Sequence, residues 1–128
     1  MADLNPKKVL VIDNDSDSIE PLERSLRERG YQPVVVRRGR RAVELVKSEK
    51  PGAVVLELAL PDVDGCGVIR ELQDDWEAKK VPIVVFSNYP NRLTGAQREK
   101  VQAVVGKPAD WEDLLGQVQK AIAKGQSN

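Results

Sequence analysis

Short apolar runs recur along this 128-residue chain, and each is too short to form a buried helix. Most are rich in valine and end in polar or turn-forming residues. An unbroken apolar run of this length is typical of a strand that is covered on both faces of its sheet. The sequence therefore predicts a buried, parallel sheet, with strands at residues 8–12, 34–36, 53–57, 83–86 and 104–105.

Segments with helical spacing separate the predicted strands. Ile19, Leu22 and Leu26 form one such apolar face, and four similar segments follow; the one near residues 95–102 has the weakest face. Five strands alternating with five helices predict right-handed crossovers and an α/β, doubly wound fold. We expect one domain over residues 1–128, with a core at about 7–123 and a frayed tail at 124–128.

The start of the first helix is constrained by a proline. Asp15, Ser16 and Asp17 are all suitable capping residues, but Pro21 is best tolerated in the first turn of a helix. We therefore expect this helix to begin late, near Asp17 or Ser18, after a long loop.

Composition excludes several classes of protein. Twenty basic and twenty acidic side chains cancel, so net charge gives no argument for binding to nucleic acid or a membrane. The single cysteine, Cys66, rules out an internal disulfide and suits the cytoplasm. The absence of histidine excludes Ser-His and Cys-His nucleophilic pairs and a self-phosphorylating histidine. No apolar run approaches the ~18 residues that a membrane span requires.

Polar side chains cluster where the predicted strands end. The carboxyl ends of parallel strands share one edge of a sheet, and in open α/β sheets ligands bind there. A single acid after a strand is as consistent with solvated surface as with function, but a set at one edge indicates a site. The residues concerned are Asp13, Asn14, Asp15, Glu57, Ser87 and Lys107.

These motifs resemble the receiver domain of bacterial two-component response regulators along nearly the whole chain. The matching stretches are Lys-Val-Leu-Val-Ile-Asp at 8–13, Leu-Ala-Leu-Pro-Asp-Val-Asp-Gly at 58–65, Pro-Ile-Val-Val-Phe-Ser at 82–87 and Gly-Lys-Pro at 106–108. The resemblance implies a flavodoxin-like (βα)5 fold with strand order 2-1-3-4-5.

The resemblance also implies a chemistry. In such receivers an acidic pair after the first strand and an aspartate ending the third hold a divalent ion, usually magnesium. That aspartate accepts a phosphoryl group from a partner kinase. The ion and a lysine neutralise charge on the phosphoryl group, a hydroxyl on the fourth strand contacts it, and an aromatic residue near the fifth strand reports the change.

The sequence matches this pattern in part. Asp13, Ser87, Lys107 and Pro108 agree with it. Three working positions depart from it: the phosphoacceptor position holds Glu57, the second acid of the pair is Asn14, and the aromatic position holds Val104. The implied metal ligands are therefore Asp13 and Glu57, and we expect Mg²⁺ binding to be weak or absent, because a hard dication has lost a carboxylate.

The departures leave three interpretations. Glutamate is longer than aspartate by one C–C bond, ~1.5 Å, so Glu57 could imitate a phosphorylated aspartate near Lys107 and Ser87. The site could instead have lost its chemistry while the fold still binds partners. A conventional Mg²⁺-dependent receiver with weakened chemistry is the third interpretation.

Rival functions find less support in the sequence. A calcium loop beginning at Asp13 would need glycine at Ser18 and glutamate at Arg24. A flavin or nucleotide-binding enzyme would need a phosphate cradle after the first strand, where this chain has acids. The arginine-rich segment 37–41 lacks interleaved aromatics and is typical of a solvated helix start.

We therefore predict a non-enzymatic signalling receiver that needs no cofactor and acts by protein–protein contact. Its partners would be signalling proteins. The resemblance implies that the last two helices and the fifth strand form a dimer or effector face.

Overall fold

The protein forms a five-stranded sheet with helices on both faces. The structure is a computed structural model and describes residues 3–126. The strands are β1 (Asn5–Ile12), β2 (Gln32–Val36), β3 (Pro51–Leu56), β4 (Ile83–Ser87) and β5 (Ala103–Gly106). The helices are α1 (Ser16–Glu28), α2 (Ala42–Glu49), α3 (Gly65–Asp74), α4 (Gly95–Lys100) and α5 (Trp111–Gln126). Short 3₁₀ helices lie at Gly39–Arg41, Ala78–Lys80 and Pro90–Arg92.

The strand order is β2-β1-β3-β4-β5, and every neighbouring pair is parallel. The predicted doubly wound fold and its order are confirmed. β2 and β5 lie at the edges, so the proline in β2, Pro33, occupies a position where a missing N–H is tolerated. All six residues of β3 are buried, which is why its sequence is an unbroken apolar run.

The sheet separates two apolar cores. Side chains along β1 alternate between them: Leu10 and Ile12 join one core, whereas Val9 and Val11 join the other. Helices α2 and α3 cover the first core, and α1 and α5 cover the second. The start of α5 is anchored by Trp111, whose ring packs edge-on against Phe86 of β4 at 5.8 Å.

Two predicted boundaries are wrong. Helix α1 begins at Ser16, because the Asp15 carboxylate accepts a hydrogen bond from the Asp17 N–H and fixes an earlier start. Pro21 therefore lies inside the helix, and the carbonyl it leaves without an N–H donor belongs to Asp17, an exposed residue that water can reach.

The end of the chain also differs from expectation. Helix α5 continues to Gln126, so the frayed end predicted from Lys124 is helical over residues 124–126. The rest of that predicted tail, 127–128, lies outside the described residues. Helix α4 is shorter than predicted and, in keeping with its weak apolar face, buries no residue. None of the helices within residues 3–126 has the length and apolar character needed to cross a bilayer.

Candidate functional site

The hydrogen bonds between strands fix where the site residues stand. Asp13 follows β1 and donates its backbone N–H to β2 over 3.1 Å. Glu57 follows β3 and donates to β1 over 2.9 Å. Lys107 follows β5 and donates to the carbonyl of Ser87 at the end of β4, also over 2.9 Å. Each of these hydrogen bonds extends the pairing of two parallel strands by one residue. The side chains of Asp13, Glu57, Ser87 and Lys107 therefore all start at the carboxyl ends of the strands.

Lys107 lies between the two acids of this edge. Its ammonium nitrogen is 2.7 Å from Asp13 Oδ2 and 3.1 Å from Glu57 Oε1. All three side chains are only 3–4% exposed, and the ammonium also lies 5.1 Å from the Phe86 ring centroid. Two carboxylates and one ammonium leave one uncompensated negative charge. The cluster is therefore a buried ion triad, in which removal of Lys107 would leave two buried carboxylates without a compensating cation.

Glu57 uses its second oxygen to bind its own loop. Oε2 accepts hydrogen bonds from the backbone N–H groups of Leu58, at 2.6 Å, and Ala59, at 3.1 Å. The Ser87 hydroxyl also hydrogen-bonds to the Glu57 carboxylate. Burial alone would raise the pKa of Glu57, but hydrogen bonds from Ser87, Ala59 and Lys107 outweigh it and lower that pKa. The carboxylate is thus held ionised by four donors.

Asp13 is perturbed in the opposite direction. Burial raises its pKa, and the negative charge of Glu57 adds to the rise. The Lys107 ammonium and the Asp15 N–H, which donates to Asp13 Oδ1 over 3.0 Å, oppose the rise without cancelling it. The ionised form of Asp13 is therefore less favoured in the folded protein than in an exposed aspartate.

The other predicted site residues lie around this triad. Asn14 is exposed, and its carbonyl accepts a hydrogen bond from Arg37 over 3.2 Å. The Asp15 side chain caps α1 instead of entering the pocket, so only its backbone N–H contacts the cluster. Val104 lies in β5 and packs, half-buried, against the first core. Pro108 is exposed and follows a cis peptide bond.

A family model settles what kind of domain this is. The model for the response regulator receiver domain matches residues 9–119. The chain belongs to this family. Receiver domains of this kind are signalling modules of two-component systems, in which kinases and effectors are their partners.

Individual relatives agree with this membership. Response regulator MprA of Mycolicibacterium vanbaalenii is 31% identical over 93% of this chain, and protein PilH of Pseudomonas aeruginosa is 24% identical over 91% of it. A sensor protein from Polaromonas gives a TM-score of 0.85 at 27% identity, covering 92% of this chain and 97% of its own. The receiver spans 98% of PilH but only 52% of MprA, about half the length of the latter.

The residues of this receiver do not fit the magnesium ion that the family implies. Within residues 3–126, no three Asp, Glu, Cys or His side chains gather in a way that could hold a metal. Both Asp13 oxygens are engaged, one by Lys107 and one by Asp15, and both Glu57 oxygens are engaged as well. A hard dication would have to displace the Lys107 ammonium from both acids to find carboxylate ligands.

Two parts of the site were not predicted from the sequence. The N–H groups of Leu58 and Ala59 are backbone donors, which any residue supplies. Asp62 is the second: its carboxylate accepts hydrogen bonds from the N–H groups of Gly39 and Arg40, both at 3.0 Å. This contact ties the loop after Glu57 to the loop after β2. A Pro-Asp pair in a turn was the only sequence signal for it.

Gly65 sets how closely α3 approaches the acid-bearing loop. A Cβ at this position would lie 2.5 Å from Leu58 Cα and 2.8 Å from the Glu57 carbonyl oxygen, both backbone atoms. We expect Gly65→Ala to lower the free energy of unfolding by about 1–3 kcal/mol, because the loop must move. Urea unfolding followed by circular dichroism measures this change.

The matched control for this prediction is Gly67→Ala in the same helix. A Cβ there meets nothing within 4 Å, so this change should stabilise the protein by about 0.5–1 kcal/mol. If the two variants were equally stable, the close approach at Gly65 would not constrain the loop.

Proposed function

We propose that this receiver domain signals without being phosphorylated and acts through protein–protein contact. The observation that carries the proposal is the engagement of the Glu57 carboxylate by the Leu58 and Ala59 N–H groups, the Ser87 hydroxyl and Lys107. Donors of this kind, at one strand edge, would also stabilise a phosphoryl group. Here the side chain at the acceptor position uses them itself.

The charges of the site support the same proposal. Phosphoryl transfer depends mainly on cations that neutralise the charge of the group in flight. Lys107 already compensates Asp13 and Glu57, and the site keeps one excess negative charge. An incoming phosphoryl group would meet repulsion and no free cation among these residues. We therefore propose that the domain needs no metal, and that any Mg²⁺ binding is weak.

The output surface follows from the same reasoning. We propose that α4, β5 and α5 contact a signalling protein or a second copy of the domain. Helix α4 buries no residue and its side chains remain available to a partner, and Val104 offers no large ring that could change position. We place this function in the cytoplasm, where the free thiol of Cys66 is stable, and assign it no catalysis.

Small phosphodonors should leave the protein unmodified. With acetyl phosphate or phosphoramidate and Mg²⁺, we expect no phosphate on Glu57 by intact-mass spectrometry, since its oxygens are occupied and the charge of the site repels the donor. Amide signals in the segment 87–107 should keep their chemical shifts, because Val104 supplies no switch.

A receiver that accepts phosphate from the same donors serves as the positive control. Stoichiometric, base-labile phosphate on Glu57 would contradict the proposal. Large shifts along 87–107 on adding Mg²⁺ alone would also contradict it, since they would show that the ion displaces Lys107.

A further inference from the structure

Trp76 is the most exposed large apolar side chain within residues 3–126. It is 74% exposed, compared with 52% for Tyr89, the other such residue. It lies between α3 and the 3₁₀ helix at Ala78–Lys80, close to the points where β1, β3 and β4 begin. Because the strands are parallel, the amino ends of these strands lie at the end of the sheet opposite the Glu57 site.

The turn that carries Trp76 is held in place from both sides. The Asp75 carboxylate accepts hydrogen bonds from the N–H groups of Glu77 and Ala78, both at 2.9 Å, and Ala78 is buried. Asp75 also pairs with Lys47 of α2 at 3.3 Å. A fixed turn therefore presents the indole ring to solvent, so a partner that contacts the ring would not have to order the backbone first.

Beside the ring lies a cleft of about 330 Å³. Its apolar lining comes from Leu4, Val46 and Val81, and the last two are buried core residues. The cleft and the indole together form an apolar surface of the kind that anchors one or two side chains of a bound segment.

Lysines surround this surface. The ammonium groups of Lys79 and Lys80 lie 4.3 Å and 5.8 Å from the Trp76 ring centroid. Lys50 lines the cleft, and within the described part of the chain none of these three pairs with a carboxylate. The acid on the cleft wall is Glu77. The surface therefore carries an excess of positive charge. Contact with the Trp76 ring limits the conformational freedom of the Lys79 and Lys80 ammonium groups.

Lys50 has an unusual backbone for its residue type. Its φ is 49°, in the left-handed region that favours glycine. Its N–H donates to Val46 over 3.0 Å and its carbonyl accepts from Asn5 over 2.7 Å, so the conformation is held by its neighbours. Lysine therefore occupies a position where glycine would adopt the same backbone conformation without steric strain, and the Lys50 side chain lines the cleft.

We propose that Trp76, the cleft and the lysines around them dock an acidic segment of a partner protein that carries apolar side chains. Carboxylates would pair with Lys50, Lys79 and Lys80, while an apolar side chain packs on the indole and enters the cleft. Single-stranded nucleic acid suits the surface less well, because the surface offers one aromatic ring for base stacking and Glu77 would face the phosphates. This surface is separate from the Glu57 site, and the proposal does not rest on the absence of phosphorylation.

The two tryptophans allow a direct test, because each gives its own indole N–H signal in a ¹⁵N-labelled sample. The probe is a short peptide in which Leu-Phe is flanked by glutamates and aspartates. We expect a saturable shift of the Trp76 indole signal, weakened by added salt, while the signal of Trp111 stays in place. A peptide with Gly-Ser in place of Leu-Phe, and one with lysines in place of the acids, should each bind at least about tenfold more weakly.

Variants assign the contacts to residues. For Trp76→Ala, amide shifts around the cleft replace the indole as the readout, and affinity should fall about tenfold or more. Lys79→Gln with Lys80→Gln should weaken binding, and so should Lys50→Gly, a change that relieves the left-handed strain and so keeps the fold. Tyr89→Ala and Lys120→Gln, which alter exposed residues away from the cleft, are the matched controls and should bind like the wild type.

Four outcomes would overturn the proposal. One is the absence of any saturable shift, and another is unchanged binding by Trp76→Ala. Preferential binding of a short oligothymidylate would make the surface a nucleic-acid site. Concentration-dependent shifts of the Trp76 signal without peptide would make it a contact between copies of this chain.

Discussion

Replacing Lys107 by methionine is expected to lower the free energy of unfolding at neutral pH by about 3–5 kcal/mol. The change keeps most of the buried aliphatic volume but removes the cation that lies 2.7 Å from Asp13 and 3.1 Å from Glu57. Two buried carboxylates would then face each other without compensation. Urea unfolding at neutral pH measures the loss, and Lys120→Met, at an exposed position of α5, should stay close to wild type.

The loss should shrink in acid. In Lys107→Met the folded-state pKa values of Asp13 and Glu57 should both lie above their unfolded values, so the folded protein binds protons more tightly than the unfolded chain. Its stability therefore rises as the pH falls through those pKa values. In the wild type, Glu57 acts in the opposite sense, because its pKa is lower in the folded protein than in the unfolded chain. This difference stabilises the fold at pH values above the unfolded-state pKa, and the contribution is lost as the pH falls through the folded-state pKa. A deficit that stayed constant between neutral and acidic pH would show that the lysine acts by packing and not by charge.

The second large effect concerns chemistry. Glu57→Asp alone should not restore phosphorylation, whereas Glu57→Asp combined with Asn14→Asp should restore it at least in part. Aspartate retracts the carboxylate by ~1.5 Å. It should therefore release the N–H groups of Leu58 and Ala59, which Glu57 now occupies. The single variant still offers a cation only two carboxylates, and loss of one electrostatic contact to a reacting group typically costs ~10²–10³ in rate.

The second substitution should supply what the single variant lacks. Asn14 is exposed at the end of β1, so an aspartate there would add a third carboxylate without burying a new charge. Radiolabelled acetyl phosphate, with and without Mg²⁺, should label the double variant in a metal-dependent way and leave the wild type unlabelled. If the single variant were labelled as fast as the double, Asn14 would not be the defect inferred here. The downstream readout should still fail in both, because Val104 remains.

Sequence reasoning predicted the fold well because burial dictates it. The residues of β3 are covered on both faces, and a short, unbroken apolar run is the pattern that this burial requires. The start of α1 was wrong because a rule about Pro21 competed with the capping of the helix by Asp15, and the cap prevailed. The pattern of residue types shows that both preferences exist, but it does not give their relative free energies, and these decide where the helix begins.

The site could be predicted only as a set of neighbours. Strand pairing brings Asp13, Glu57, Ser87 and Lys107 to one edge, and pairing follows from the strand order. How Glu57 uses its oxygens could not be predicted, because the N–H groups it binds exist at every residue of a chain. The side chain of Asp15 was expected among the acids, but it caps a helix instead. Orientation at a strand end depends on the loop that follows, and loops carry the weakest patterns.

The order of the strands also has a consequence for synthesis on the ribosome. Strand β1 can be paired on both edges once the chain has emerged from the ribosome as far as Leu56, because its neighbours β2 and β3 both lie in the first half of the chain. The other edge of β3 has no partner until β4, which begins at Ile83, has been made. During that interval a wholly apolar strand presents unpaired N–H and C=O groups, the arrangement most prone to pairing with another chain. Of the three residues of the ion triad, Glu57 directly follows this strand and is therefore attached to the part of the nascent protein that is most exposed to aggregation.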